Sequence, residues 1–161
     1  MSVFEKILRR RPASTLRDEP IYAAPLREGD FEGAVVPLRE AIKYEDPVAM
    51  TAYAAMLAVG RGMEQDFEEA ALWFRQAAVR GDVNGQLAIG ACLATGLGTP
   101  RNDDEAAFWL YQAGKRNNLA AIDLLSTLVW RDQALIGRHF SKTEFHQLLK
   151  KAHRPGEAAL H

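Results

Sequence analysis

The segment DFEEAALWFRQAAVRGD at residues 66–82 returns as NDDEAAFWLYQAGKRNN at residues 102–118, and this self-similarity decides the fold. The alanines and tryptophans of the two copies fall on one another at a spacing of 36 residues, so that Trp73 corresponds to Trp109. A fixed period of this size is typical of stacked supersecondary units that bury their apolar faces against their neighbours. The sequence therefore predicts a repeat protein that works by presenting a surface.

A glycine pair precedes each copy. Gly60 and Gly62 correspond to Gly96 and Gly98 at the same spacing, and glycine permits backbone angles in a turn that other residues avoid. Apolar residues recur with a helical period along the chain, whereas the alternation of a β-strand does not occur. We therefore expect an all-α fold in which each unit is a first helix, a glycine turn and a second helix.

The repeat extends weakly on both sides of these copies. DFEGAVVPLREAI at residues 30–42 is a divergent second helix that carries Pro37 at the tryptophan position. Because proline inside a helix costs about 3 kcal/mol, we expect this helix to be bent, partly irregular or late in starting. Residues 125–129 form a weak first helix that lacks the glycine pair, as a terminal unit would.

Seven helices are predicted in the repeat region, and a short amphipathic helix near residues 2–10 precedes them. The expected bounds of the seven are 29–43, 47–59, 66–80, 83–95, 102–116, 119–131 and 141–153. Prolines at positions 12, 20 and 25 predict an extended or irregular connection before the first repeat helix.

The chain divides into three parts on this interpretation. Residues 1–25 hold the short helix and the irregular segment, residues 26–153 form the solenoid, and residues 154–161 form a flexible tail.

Helix ends are marked by local signals. Asp46 precedes Pro47 and is expected to cap the helix that the proline opens. Ser141 and Glu144 have the spacing of a capping box, and Gly81 suits the left-handed residue that ends a helix. Acidic residues gather at the starts of second helices and basic residues at their ends, which complements the helix dipole without any ligand.

The segments YAAMLAVGRG…DFEEAALWFRQAA and IGACLATGLG…NDDEAAFWLYQAG together resemble the Sel1-like repeat, a relative of the tetratricopeptide repeat. Tyr53 and Ala54 stand where the family usually has leucine and glycine, and Leu57 and Leu93 replace its usual tyrosine. The resemblance implies a right-handed superhelix of antiparallel helix pairs, with about two full repeats, flanking half-repeats and a C-terminal capping helix. It also implies binding to other proteins, and it implies no reaction.

Composition narrows the function classes. Of the 161 residues, 48% are hydrophobic and 25% are charged, and the formal net charge is −1, which gives no reason to expect a nucleic-acid or membrane partner. The single cysteine, Cys92, is read as a small buried hydrophobic residue. No apolar run has the length of a signal peptide or a membrane span, so we expect a cytoplasmic protein without cofactors. The sequence leaves the oligomeric state open, and a monomer fits it.

A candidate binding groove lies on the concave side, which first helices commonly line in such solenoids. The stripe opposite their internal packing positions comprises Thr51, Ala55, Ala58, Leu87, Ala91, Ala94, Asp123, Thr127 and Trp130. Its small residues predict a shallow groove in which Trp130 is an aromatic anchor for a partner protein or peptide. In the alternative, the C-terminal helix fills the groove and Trp130 belongs to the core.

The four histidines all occur late in the chain: His139, His146, His153 and His161. Seven helical residues span about 10.5 Å, too far for two imidazoles to share one metal ion, so hydrogen-bonded or solvated histidines are the favoured interpretation. Neither a nucleophile motif nor a phosphate-binding loop is found, and no catalytic residue is assigned.

Three functions follow in order of preference. The first is a scaffold or adaptor that binds a partner protein in its concave groove. The second is an immunity protein that neutralises one bacterial toxin by direct binding, which suits a small domain with few repeats. The third and least favoured is a hydrolase built around the late histidines.

Overall fold

A computed structural model of the chain describes residues 3–9 and 19–152, and this part of the chain is all-α, as predicted. Its α-helices are α1 (Val3–Arg9), α2 (Ala23–Glu28), α3 (Phe31–Lys43), α4 (Pro47–Val59), α5 (Phe67–Val79), α6 (Val83–Thr95), α7 (Asp103–Lys115), α8 (Leu119–Arg131) and α9 (Lys142–Ala152). A 3-10 turn at Gln133–Leu135 separates α8 from α9. The described residues contain no β-strand, only an isolated bridge between Ile136 and Phe140.

The helices stack as a solenoid. We call α4, α6 and α8 the first helices and α3, α5, α7 and α9 the second helices. The pairs α4–α5 and α6–α7 pack most extensively, α5 then packs on α6 and α7 on α8, and successive first helices also touch. Phe74 of α5 and Leu110 of α7, which are equivalent across the repeat, are both fully buried in one continuous core.

Aspartate and asparagine residues start the repeat helices at a regular interval. Each of six accepts a hydrogen bond from a backbone N–H of the first turn: Asp30, Asp46, Asp66, Asp82, Asn102 and Asn118. A cap of this kind stabilises a helix by about 1 kcal/mol. The predicted cap at Asp46 is confirmed, and the capping box is confirmed by reciprocal bonds between Ser141 and Glu144.

The turn glycines bring successive units into contact. Gly62 and Gly98 have φ of 72° and 70°, the left-handed region that favours glycine. A Cβ on Gly62 would lie 2.6 Å from the backbone carbonyl of Phe31, and one on Gly98 would overlap the carbonyl of Phe67. Each glycine turn therefore packs directly on the start of the preceding second helix, where no side chain fits.

Small residues also lie at the contact between the two helices of a unit, as the sequence predicts. A Cβ on Gly90 of α6 would lie 2.7 Å from Cγ of Leu110 on α7. Ala54, Ala70 and Ala106 are almost completely buried at the corresponding contacts. Glycine and alanine thus let the two backbones of a pair approach closely.

Two expectations about proline-containing segments are wrong, namely the irregular connection before the repeats and the irregular or late-starting α3; the bend expected of α3 stays a prediction. The connection before the repeats, predicted to be extended or irregular, includes α2, which accommodates Pro25 because a residue in the first helical turn needs no N–H donor. Helix α3 begins at Phe31, in register with α5, and continues through Pro37 without interruption. Ala34 and Leu38 are fully buried next to this proline, so their packing holds the helix in place.

The predicted first helix is present as α1. Its predicted ends at residues 2 and 10 fall outside the described residues, as does the tail predicted at residues 154–161.

Candidate protein-binding groove

The nine residues predicted to line the groove lie on the three first helices, and their exposure divides them into three groups. The buried group is Thr51, Ala55, Ala58 and Leu87; the partly exposed group is Ala91 and Ala94; and the exposed group is Asp123, Thr127 and Trp130. The first helices thus present an open surface only toward the C-terminal end of the array.

Thr51 is a structural residue rather than a groove residue, and the prediction for it is wrong. Its hydroxyl donates a 2.7 Å hydrogen bond to the carboxylate of Asp82, the residue that caps α6. Leu87 occupies the equivalent position on α6 and is also buried. These side chains lie where one first helix packs against the next, whereas Asp123 at the same position on α8 is exposed.

Helix α1 covers the beginning of the concave face. It packs against α4 and α6. Ala55 and Ala58 on α4 are 0% and 3% exposed, whereas Ala91 and Ala94, the same residue type at the same positions on α6, are partly exposed. This difference in exposure is explained by α1, which packs on α4. The prediction that Ala55 and Ala58 line an open groove is therefore wrong.

Phe4 and Glu5 are among the residues that hold α1, together with Val3 and Ile7, which pack against the core. The ring of Phe4 stacks on the ring of Phe74 at a centroid distance of 5.2 Å and an interplanar angle of 13°. The carboxylate of Glu5 lies 3.4 Å from the guanidinium of Arg61, which also lies over the ring of Phe31 at 5.1 Å. Phe4 thus packs its ring against the core, and Glu5 pairs with Arg61.

The C-terminal helix does not fill the groove, and the alternative that places Trp130 in the core is wrong. The Tyr111 hydroxyl of α7 donates a 2.8 Å hydrogen bond to Glu144 of α9, and the Phe140 ring stacks between the rings of Tyr111 and Phe145. Helix α9 therefore occupies the place of a second helix. The Trp130 side chain is 86% exposed.

Five of the predicted residues remain accessible, and we call them the open groove: Ala91, Ala94, Asp123, Thr127 and Trp130. They lie on the adjacent helices α6 and α8. Three of the five are apolar, the small Ala91 and Ala94 on α6 and the large exposed indole of Trp130 on α8, whereas Asp123 and Thr127 are polar. Tryptophan is enriched among the residues that contribute most to protein–protein binding.

Acidic residues at the second helices have a role that the dipole argument did not include. Glu105 forms an ion pair with Arg75 of the preceding unit and accepts a 3.2 Å hydrogen bond from the indole of Trp109. The Arg75 hydrogen bond holds the pKa of Glu105 below its usual value. Trp73 donates an equivalent 3.1 Å bond to Glu69, so the hydrogen bond of the tryptophan is repeated in the two units.

The two late histidines that the structure describes, His139 and His146, have different partners. Nε2 of His139 lies 3.0 Å from the Asp104 carboxylate, and Nδ1 of His146 lies 2.7 Å from the Lys142 carbonyl. His153 and His161 lie outside the described residues. Among residues 3–9 and 19–152, no group of three histidine, cysteine or acidic side chains is arranged to bind a metal ion.

Cys92 is 2% exposed, as predicted, and burial raises the pKa of its thiol to about 12. A thiol with such a raised pKa is a poor nucleophile at neutral pH.

No helix in the described part of the chain is both long enough and apolar enough to span a membrane.

Comparison with known proteins agrees with this architecture. The Sel1 repeat family matches residues 47–82 and 83–118, which are the units α4–α5 and α6–α7. A comparison with curated proteins finds no match.

Two crystal structures have a similar fold. A Sel1 repeat protein from Oxalobacter formigenes superposes with a TM-score of 0.71 at 23% identity, over 84% of this chain and 55% of that protein. A protective antigen with an SLR fold, present in uropathogenic Escherichia coli strains, gives a TM-score of 0.64 at 21% identity, over 88% of this chain and 33% of its own. The chain therefore spans about half and one third of these proteins. The chain therefore contains two Sel1 repeats, at residues 47–82 and 83–118, within a solenoid that has the fold of these structures.

Proposed function

We propose that this chain is a protein-binding scaffold whose open groove receives a partner protein or peptide, with Trp130 as the principal anchor. The supporting observation is the 86% exposure of the Trp130 side chain on the face that α6 and α8 present together. Leaving an indole in water is unfavourable, and burying it in an interface recovers this free energy. Solenoid repeats characteristically offer such extended concave surfaces to ligands.

The proposal is tested by capturing partners from a lysate of the native organism with the full chain and with its Trp130→Asp variant. A charged side chain at the anchor is expected to weaken binding by about 2 kcal/mol or more, which is roughly a thirtyfold loss of affinity. Binding of the captured partner to both purified proteins is then measured by calorimetry.

Tyr44→Asp is a matched control, because Tyr44 is 85% exposed and directly follows α3, a second helix that contributes no residue to the open groove. Like Trp130→Asp, this variant replaces an exposed aromatic side chain with aspartate. If both variants bind the partner as tightly as the wild-type chain, Trp130 is not the anchor and the proposed groove is wrong.

An inhibitor of one bacterial toxin would use the same surface in a different way. An adaptor is expected to capture several proteins at moderate affinity, whereas an inhibitor forms one-to-one complexes with a single protein at nanomolar affinity. The stoichiometry and affinity from the calorimetry above separate the two, and protection of cells from the captured protein identifies the inhibitor. We propose a cytoplasmic location for either role.

A further inference from the structure

We propose that the outer side of α3 and α5 binds a peptide segment of a partner protein in which arginine is followed by an aromatic residue. This surface is distinct from the open groove, because it lies on second helices, whereas the open groove lies on the first helices α6 and α8. Two rows of exposed side chains carry the proposal, together with the contacts by which the chain covers the last members of these rows.

Each of the second helices α3, α5 and α7 presents an acidic residue and, four residues later, an apolar residue. The acidic row is Glu32, Glu68 and Asp104, and the apolar row is Val36, Leu72 and Phe108. Residues four apart are neighbours on the surface of a helix, and a spacing of 36 relates the members of each row. Val36, Leu72 and Phe108 are 69%, 65% and 37% exposed, so packing of the core does not account for apolar side chains at these positions.

The chain itself covers the last acidic and apolar pair. The guanidinium of Arg138 lies 3.2 Å from one carboxylate oxygen of Asp104, and Nε2 of His139 lies 3.0 Å from the other. The His139 ring also contacts the Phe108 ring, at a centroid distance of 6.1 Å and an interplanar angle of 63°. An arginine followed by a ring therefore matches one acidic and one apolar residue of these rows.

The middle pair, Glu68 and Leu72, is open on the side where the last pair is covered. Arg138 and His139 belong to the connection between α8 and α9, which has ten residues (132–141), whereas the connection between α6 and α7 has seven (96–102). Beside the middle pair this shorter connection borders a surface recess, which is lined by Glu68, Leu72, Gly96, Gly98, Thr99 and Pro100. A partner segment in this recess would contact Glu68 and Leu72 as Arg138 and His139 contact their equivalents.

The charge of the first two pairs determines the chemistry of the partner. Glu32 and Glu68 are exposed, and among the residues that the structure describes neither carboxylate has an ion-pair partner. The planar guanidinium of arginine matches a carboxylate, and an aromatic ring next to it would cover the exposed hydrocarbon of Val36 or Leu72. A segment that crosses both α3 and α5 makes this contact twice, and the second contact then forms within an existing complex.

The test uses the dye-labelled peptide GRFGGRFGGRFG as a probe of this chemistry, and its binding to the full-length chain is measured by fluorescence anisotropy at low salt, where exposed ion pairs are least screened. Glu68→Lys is expected to weaken binding about tenfold, because repulsion replaces an attraction. Leu72→Ser is expected to weaken it about fivefold, because less apolar surface is buried. The peptide GEFGGEFGGEFG, which keeps the rings and reverses the charge, is expected to bind the wild-type chain at least about tenfold more weakly.

Asp123→Lys is the matched control for Glu68→Lys, because it reverses an exposed carboxylate on α8, outside both rows. This variant is expected to bind the arginine peptide as the wild-type chain does. An equal loss of affinity in Asp123→Lys and Glu68→Lys would overturn the proposal. So would an absence of binding to the wild-type chain.

Nuclear magnetic resonance of the wild-type chain locates the bound peptide without any substitution. Amide shifts are expected around Val36 and Leu72. Shifts confined to the surroundings of Trp130 would place the peptide in the open groove, which would overturn this proposal and leave the proposed function standing. Sedimentation tests the other occupant: self-association of the wild-type chain that Leu72→Ser abolishes would assign this surface to a second copy and overturn the peptide assignment.

Discussion

The concave face has a closed half at α4 and an open half at α8. The contact between α4 and α6 also differs from the contact between α6 and α8. Between α4 and α6, the Thr51 hydroxyl donates to the Asp82 carboxylate. Between α6 and α8, the equivalent residues are Leu87 and Asn118. Both helices keep an N-cap, Asp82 on α6 and Asn118 on α8, but Leu87, the residue equivalent to Thr51, has no hydroxyl to donate.

This comparison shows that cap and partner change together. A buried carboxylate is costly unless hydrogen bonds satisfy it, and Thr51 supplies one. Where leucine replaces the threonine, the cap is the neutral amide of Asn118, which is 4% exposed, and its Nδ2 has no hydrogen-bond partner within the described part of the chain. The repeat therefore tolerates an apolar neighbour at this position by removing the charge of the cap.

The largest expected effect comes from truncating one core residue in each half of the concave face, Phe74 in the closed half and Leu110 in the open half. Phe74→Ala is expected to cost about 3–5 kcal/mol of unfolding free energy, and Leu110→Ala about 2–5 kcal/mol, since both residues are fully buried. The ring of Phe74 stacks on that of Phe4, so its loss is expected to release α1 as well.

Urea denaturation measures the unfolding free energies of both variants, and amide exchange measures the protection of α1. Equal acceleration of α1 exchange in Phe74→Ala and Leu110→Ala, after scaling for global stability, would contradict the distinction between the halves.

A smaller effect tests whether the cap and its partner are coupled. Asn118→Asp keeps the bond to the Ala121 N–H but buries a carboxylate, and Leu87 has no hydroxyl that could donate to it. We therefore expect the unfolding free energy to fall by about 1–3 kcal/mol. Leu87→Thr in the same chain restores the pair seen between Thr51 and Asp82. The double-mutant cycle is therefore expected to show a favourable coupling of about 1 kcal/mol or more.

Urea denaturation of the wild-type chain, the two single variants and the double variant gives the coupling directly. Additive losses would mean that the change of cap and the change of partner are independent.

The period of 36 residues predicted most of this architecture, because Trp73 and Trp109, which it relates, occupy equivalent positions on α5 and α7 and donate equivalent hydrogen bonds to Glu69 and Glu105. The same spacing relates the helix caps, so Asp82 and Asn118 could also have been predicted as N-caps from the sequence. The location of α1 was not, since the repeat pattern describes contacts between units and contains no information about a separate seven-residue helix.

The predicted groove was too wide for a related reason. Helical periodicity identifies the side of a first helix that faces away from its own second helix, but it does not distinguish solvent from the next first helix. Thr51 and Leu87 lie on that side and are buried at the contact between units. Trp130 has the same phase and is exposed on α8, the last first helix in the described part of the chain.

The smallest expected effect concerns the charge of the cap in the closed half. Burial raises the pKa of Asp82 above its ordinary value, although the bonds from Thr51 and Gly85 oppose the shift. A carboxyl whose pKa is higher in the folded state favours folding below its unfolded pKa, about 3.9, and this contribution is lost as the pH rises through the folded pKa. Asp82→Asn, which imitates the natural Asn118, is neutral at every pH and avoids that loss.

The stability of Asp82→Asn relative to the wild-type chain is therefore expected to improve as the pH rises from about 3 to about 6. Urea denaturation across this range measures the difference, and Asp123→Asn, which removes an exposed carboxylate from α8, gives the baseline for losing one surface charge. A constant difference across the range would mean that Asp82 ionises equally in the folded and unfolded chains. The amide at position 118 would then need a reason other than avoidance of a buried charge beside Leu87.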